Sequence, residues 1–190
     1  MRFSSVSLII LFFSIEIYCH SLEFIREDVA FTIQDSFFYV DGIYYICNVS
    51  DKPVNNMLYY PFPEDSLYGE VDSVLIYNLI DSIPEEIIKR KTTGFFFNVS
   101  LEPFRVGKYR IFYKQKLYGN KAEYILTTVK YWRKPLQIAN FQLGTSNNIE
   151  IDSLSYKPDS SYVGQNKRKY FWYRSNFMPD RNFIILFDRK

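Results

Sequence analysis

Hydrophobic and polar positions alternate along most of this chain, in short runs broken by turn-forming residues. Phe24–Ile33, Phe37–Val49, Asn56–Phe62, Val71–Leu79, Phe95–Leu101 and Lys108–Leu117 carry the two-residue period of half-buried strands. So do Glu123–Tyr131, Leu136–Leu143, Ile149–Leu154, Tyr170–Asn176 and Phe183–Phe187. The breaks have chemistry of their own. Asp41-Gly42 predicts a tight turn or a bulge, because glycine accepts positive φ without steric cost. Ser50-Asp51-Lys52-Pro53, Tyr118-Gly119-Asn120-Lys121 and Met178-Pro179-Asp180-Arg181 read as turns, the last with proline at the second turn position. No stretch holds a sustained helical stripe. Pro84–Lys91 comes nearest, with a first-turn proline and acids ahead of bases, and reads as one or two helical turns or as a polar strand. Lys157–Lys169, rich in Ser, Gly, Asn and charge, is expected to be a surface loop. The pattern as a whole predicts an all-β fold: an antiparallel β-sandwich of about ten short strands.

One apolar run does not alternate. Val6–Ile15 follows Arg2 and is about ten residues long, the length of a signal-peptide core and well short of the roughly 20 that span a bilayer. Cys19 and Ser21 then place small residues at the third and first positions before a cleavage point after Ser21. The competing chemistry is a lipid anchor on Cys19. The residues ahead of it, Glu16-Ile17-Tyr18, do not suit one, since a bacterial lipobox wants a small residue just before the cysteine. The expectation is therefore a signal peptide over residues 1–21, a single β-sandwich domain over 22–190, no transmembrane helix, and a periplasmic, cell-surface or extracellular location.

Composition sharpens this picture at two points. The chain has 190 residues, 47% of them hydrophobic and 19% aromatic, including 17 Tyr and 18 Phe, which suits pleated, half-buried surfaces. Its formal net charge of +2 is too small to imply nucleic acid. Cleavage would also remove His20, the sole histidine, and Cys19, one of two cysteines. The mature domain would then keep a single thiol, Cys47. That leaves no intramolecular disulfide, no Ser-His-Asp or Cys-His site, and no histidine-ligated metal. No cofactor is expected.

Leu101-Glu102-Pro103-Phe104-Arg105-Val106-Gly107-Lys108-Tyr109-Arg110-Ile111 resembles the E–F corner of immunoglobulin-like sandwiches, with Gly107 two residues before the corner tyrosine, Tyr109. The resemblance implies an immunoglobulin-like topology without the usual disulfide, since Ile111 stands where antibody-type domains have cysteine. Tyr59-Tyr60-Pro61-Phe62-Pro63-Glu64-Asp65 resembles the Phe-Pro stretch of vault protein inter-alpha-trypsin domains, with different proline spacing. Tyr124–Leu136 resembles the Leu-Thr-Thr…Trp…Pro-Leu stretch of an exported bacterial family of unknown function. Together these imply an exported β-sandwich and carry no activity with them.

Few candidate sites remain. Carboxylates are the acid–base groups left at neutral pH, and Glu64-Asp65, Asp81 and Glu85-Glu86 cluster in sequence. A glycosidase needs two carboxyls held roughly 5–10 Å apart, and neighbours on a strand face opposite ways. A calcium site on Glu64, Asp65 or Asp159 lacks the loop pattern that calcium demands. Lys167-Arg168-Lys169 ahead of Tyr170-Phe171-Trp172-Tyr173 pairs bases with aromatics, but reads first as a basic loop feeding a core strand. Tyr131, Trp132 and Tyr173 are the natural candidates for stacking on a sugar or peptide. Asn48 and Asn98 head Asn-x-Ser triplets, which matter for glycosylation in a eukaryotic source. The reading favoured is a non-catalytic exported module that binds a protein or glycan partner or serves a structural role. The alternatives are a carboxylate-dependent glycan hydrolase and a subunit of a surface assembly.

Overall fold

The computed structural model describes residues 21–63, 66–164 and 167–190. The apolar leader with Cys19 and His20, and the acidic pair Glu64 and Asp65, lie outside the described residues.

Fourteen strands are formed among the described residues, where the sequence suggests about ten. They are β1 (Leu22–Gln34), β2 (Phe37–Asn48), β3 (Val54–Pro61), β4 (Tyr68–Asn78), β5 (Ile83–Pro84), β6 (Lys89–Lys91) and β7 (Gly94–Leu101). After them come β8 (Val106–Leu117), β9 (Lys121–Tyr124), β10 (Leu136–Ser146), β11 (Ile149–Leu154), β12 (Ser160–Val163), β13 (Lys167–Phe177) and β14 (Phe183–Arg189). Eight make one sheet in the order β12-β13-β10-β1-β2-β8-β4-β5, and two three-stranded sheets have the orders β11-β14-β9 and β3-β7-β6. No helix among the described residues is long and apolar enough to cross a membrane.

The two-residue period explains how these sheets stack. In β2 every second residue is buried: Phe38, Val40, Gly42, Tyr44, Ile46 and Asn48 face one way, and the residues between them are half-exposed. That buried face meets both small sheets. Phe31 of β1 packs on Phe183 of β14 at 5.0 Å and on Tyr124 of β9 at 5.2 Å. Tyr113 of β8 packs on Phe62, just past β3, at 5.0 Å, and Tyr109 on Phe97 of β7 at 5.8 Å. The small sheets therefore lie side by side on one face of the large one, over a continuous core. Burying each such phenylalanine contributes about 2 kcal/mol.

Four local expectations are corrected. The pairing is not purely antiparallel: β1 and β10 run parallel, Arg26 opposite Ile138 through Ile33 opposite Thr145. Asp41-Gly42 is neither turn nor bulge but the middle of β2, paired without a break on both sides. The chain turns earlier, at Asp35, where φ is +54°. The segment Glu123–Tyr131 is strand only to Tyr124; a 3₁₀ helix, Thr127–Trp132, follows and ends on Arg133 at φ +59°. Its start is captured from far along the chain, because Asn182 Oδ1 accepts hydrogen bonds from the amides of Leu126 and Thr127, both at 3.2 Å. Finally, the expected loop Lys157–Lys169 holds strand β12 at the sheet edge and the first residues of β13. Of the two readings open for Pro84–Lys91, helical turns or polar strand, its two ends take the strand pairing.

Candidate functional site

The second layer has a seam. Within it β3 pairs with β7 alone and β9 with β14 alone, so each small sheet presents an unpaired edge. Between those edges, roofed by the 3₁₀ helix, lies a cavity of about 540 Å³. Eight of its seventeen lining side chains are aromatic, and most of the others are aliphatic. Tyr59 and Tyr131 stand exposed at its mouth, while Ile46, Ile111 and Leu126 are buried at its walls.

One acid sits in this apolar space. Glu27 of β1 is 1% exposed, in phase with the inward-facing Val29, Phe31 and Ile33. Its Oε2 accepts a hydrogen bond from the Tyr124 hydroxyl at 2.8 Å. Tyr44 and Tyr124 hydroxyls lie 3.1 Å apart, and Tyr44 and Tyr60 hydroxyls 2.7 Å apart. A phenol has one proton to give. With that of Tyr124 committed to Glu27, Tyr44 donates to Tyr124 and Tyr60 donates to Tyr44, so three phenols from β9, β2 and β3 point their protons towards one carboxyl. Its other oxygen, Oε1, is buried and has no hydrogen-bond partner. Burial pushes the Glu27 carboxyl up to about 7, against the opposing hydrogen bond from Tyr124, with Asp28 adding to the rise. Burial also lifts all three phenols well above their usual range, so they stay protonated.

Two of the three aromatic candidates from the sequence meet here. Tyr131 and Trp132 line the cavity mouth, and Trp132 packs on Phe24 at 5.8 Å. Tyr173 is elsewhere. It lines a larger groove, about 770 Å³, on the opposite face of the eight-stranded sheet. The charges of that groove are already matched: Arg26 with Asp28, Arg110 with Asp41, and Asp159 with Arg174. Asn140 also donates to Asp28 at 2.6 Å. Of these two, it is the smaller cavity that combines apolar walls with an unmatched polar group, which is what a ligand site needs to fix orientation.

Most of the remaining sequence candidates have structural duties. Tyr109 is fully buried in β8, and its hydroxyl, facing the Ser100 backbone, lies outside hydrogen-bond geometry. Gly107 makes room for that ring: a Cβ there would stand 2.7 Å from it. Asn48 is a buried hub whose Nδ2 shares its two protons among the carbonyls of Lys52, Leu101 and Glu102, so its amide is not free to carry a glycan in the folded chain. Asn98 is exposed on β7. Asp81 accepts from Asn78 Nδ2 at 2.8 Å and Glu85 faces the same side chain, which makes them turn residues of the β4–β5 corner. Glu86 is exposed nearby. Lys167–Lys169 are not a loop feeding a strand but the first residues of β13 itself, paired with Ser146, Thr145 and Gly144 of β10, and Trp172 is buried further along the same strand. The Cys47 thiol is half-buried, free and pushed up by burial. Among the described residues no group of three or more His, Cys, Asp or Glu is placed to hold a metal.

Sequence reasoning passed over Glu27. The signal was present: an acid spaced in twos from Val29, Phe31 and Ile33 belongs to the buried face.

No family model and no curated protein matches the chain in sequence. Solved structures do match in fold. A Legionella pneumophila protein described as a "putative nutrient binding protein" superposes with a TM-score of 0.69 at 13% identity, over 88% of this chain and 67% of that one. An M1 zinc metallopeptidase from Deinococcus radiodurans superposes with a TM-score of 0.51 at 10% identity, over 87% of this chain and 42% of that one. This chain thus spans under half of the metallopeptidase. At such identities the likeness is one of fold.

Proposed function

We propose that this chain is an exported, non-catalytic binding protein that holds a small molecule with an apolar body in the cavity over Glu27. The observation that carries the reading is the Glu27 carboxyl, buried among aromatic rings with one oxygen unmatched. A buried polar group without a partner costs stability. A site that retains one inside an otherwise apolar cavity gains from a ligand that completes it. The nutrient-binding description of the Legionella protein supports a binding role, and the apolar leader after Arg2 supports export.

The test uses N-phenyl-1-naphthylamine, an uncharged fluorophore that brightens in apolar surroundings. Saturable brightening is expected in the intact protein. Leu58→Trp, which fills the cavity from β3, should abolish it. Saturable binding that survives Leu58→Trp, or no saturable binding at all, would remove the proposal. Export is tested separately by the intact mass of the protein recovered outside the cytoplasm, with a start at Leu22 expected.

One observation favours a second reading, the surface assembly. The edge at β4 and β5 exposes Leu75, Tyr77, Leu79, Ile80 and Ile83, the last two at 61% and 49%. An apolar edge strand is a template for pairing with another chain. A molecular mass that rises with concentration and falls to the monomer in Ile80→Glu/Ile83→Glu would establish it; a constant monomer mass would end it.

A further inference from the structure

We propose that the ligand of this cavity carries a protonated amine on an apolar body, its ammonium set against the free oxygen of Glu27 among the tyrosine rings. The inference rests on the binding reading above and names the ligand class for the same site.

Among the described residues lining the cavity Glu27 alone ionises near neutral pH, and none of them is Lys, Arg or His. Its charge therefore has no counter-ion inside the cavity. The hydrogen-bond chain runs towards it: Tyr60 to Tyr44, Tyr44 to Tyr124, Tyr124 to Oε2. Every phenolic proton of the chain is committed, so what remains to be satisfied is acceptor capacity, at Glu27 Oε1, which has no partner, and at the lone pairs left on the Tyr60 hydroxyl oxygen once it donates to Tyr44. The ligand must then bring donors. An alcohol brings one and no charge. A carboxylate brings none and meets an acid. A primary ammonium brings three donors and the missing positive charge.

The walls agree with this. Tyr44, Tyr60, Tyr124, Tyr131 and Trp132 present rings whose faces carry partial negative charge, and a cation gains from such faces most where water is excluded. The aliphatic remainder, Ile46, Leu58, Ile111 and Val129, suits a hydrocarbon tail.

Protonation gives the inference a second handle. The groups facing Glu27 are Tyr124 from β9, Tyr44 from β2, Tyr60 from β3 and Asp28 beside it on β1. The phenols stay neutral across the neutral range, so the acid that titrates there is Glu27, whose carboxyl burial raises to about 7. An alkylammonium stays charged up to about pH 9. Its affinity should rise about tenfold from pH 6 to pH 8 as Glu27 ionises, and an alcohol's should not.

The experiment displaces bound N-phenyl-1-naphthylamine with n-hexylammonium, n-hexanol or hexanoate. Hexylammonium is expected to bind at least tenfold more tightly than hexanol, with hexanoate weakest. Glu27→Gln should erase the preference for the amine. Tyr131→Ala, a change at an exposed ring that leaves folding intact, should weaken the amine several-fold more than the alcohol. Should Glu27→Gln fail to fold, the pH series and Tyr131→Ala decide the matter. Equal affinity for hexanol and hexylammonium, or hexanoate binding best, while the naphthyl probe still binds, would overturn the amine and leave the cavity standing as a site. A naphthyl probe that never binds would overturn both.

Discussion

The ring of Tyr44 lies back over Gly42. A Cβ at Gly42 would stand 2.3 Å from the Tyr44 hydroxyl oxygen and 2.6 Å from its Cζ. The neighbouring strand repeats the arrangement in the other direction, with Tyr109 directly opposite Tyr44 and Gly107 beneath the Tyr109 ring. The glycine at position 42 thus sets where the central phenol of the Glu27 chain sits. Gly42→Ala must push that ring aside, since both atoms meet well inside contact distance. The expected cost is about 1–3 kcal/mol, read from urea midpoints, together with loss of naphthyl-probe binding. Gly144→Ala is the control. The nearest atom to a Cβ there is 3.9 Å away, and the change should be neutral or stabilising by up to about 1 kcal/mol. If both substitutions behave alike, Gly42 is not placing Tyr44.

Glu27 makes stability depend on pH in a direction opposite to that of an ion-paired acid. Burial raises its carboxyl from 4.5 to about 7. Between those values the folded protein holds a proton that the unfolded chain has released. Stability from this group is therefore complete below about pH 4.5 and is lost as pH rises through 7, by about 3 kcal/mol in all. Glu27→Gln keeps the neutral shape and removes the titration. Wild type and Glu27→Gln should agree near pH 4, begin to part above it and be fully separated by pH 8, with the variant more stable. Asp72, Asp159 and Glu150 are held below their usual values by Lys114, by the Tyr173 amide with Arg174, and by Lys190 respectively. Their contribution is lost at acid pH and cancels in the comparison. Parallel stability curves for the two proteins from pH 5 to pH 8 would show that Glu27 does not titrate in this range.

Much of the sheet architecture was legible because burial on one face forces a two-residue period, and Ile149–Leu154 has the same limits in sequence and structure. The misreadings share a cause. Gly42 looked like a turn because glycine is the usual turn residue, yet its reason is the Tyr44 ring two residues on. The end of β9 was hidden because Asn182, which draws the backbone out of the strand, lies 56 residues from Leu126. Strand β12 is exposed on every residue, so its pairing leaves no hydrophobic trace. The site was readable in pieces: Tyr131 and Trp132 as candidate stacking aromatics, Glu27 as an acid in the buried phase. Their meeting was not. It depends on Tyr124 reaching Glu27 across 97 positions, and on two unpaired sheet edges that pairing alone defines.

Asn182 joins the site to the rest of the fold, and its removal gives the sharpest local prediction. Its Oδ1 accepts from the Leu126 and Thr127 amides and, at 2.9 Å, from the Thr127 hydroxyl. Its Nδ2 donates to Glu123 Oε1 at 2.7 Å. The first turn of the 3₁₀ helix has no side-chain cap of its own, so Asn182 serves as its cap from the strand β14 side. That helix carries Val129, Tyr131 and Trp132 over the cavity. In Asn182→Ala the two amides lose their acceptor, while Phe183 still pairs with Tyr124 and keeps β9 in place. The expected cost is about 1–3 kcal/mol, concentrated at the helix. Hydrogen exchange at Leu126 and Thr127 should quicken by an order of magnitude or more, with the β1 and β2 amides unchanged, and naphthyl-probe affinity should fall as the roof loosens. Asn182→Asp keeps the acceptor but sets a second carboxylate against Glu123, so it should restore protection at the two amides without restoring stability. Unaltered exchange at Leu126 and Thr127 in Asn182→Ala would mean that the roof is held by packing on Val129 alone.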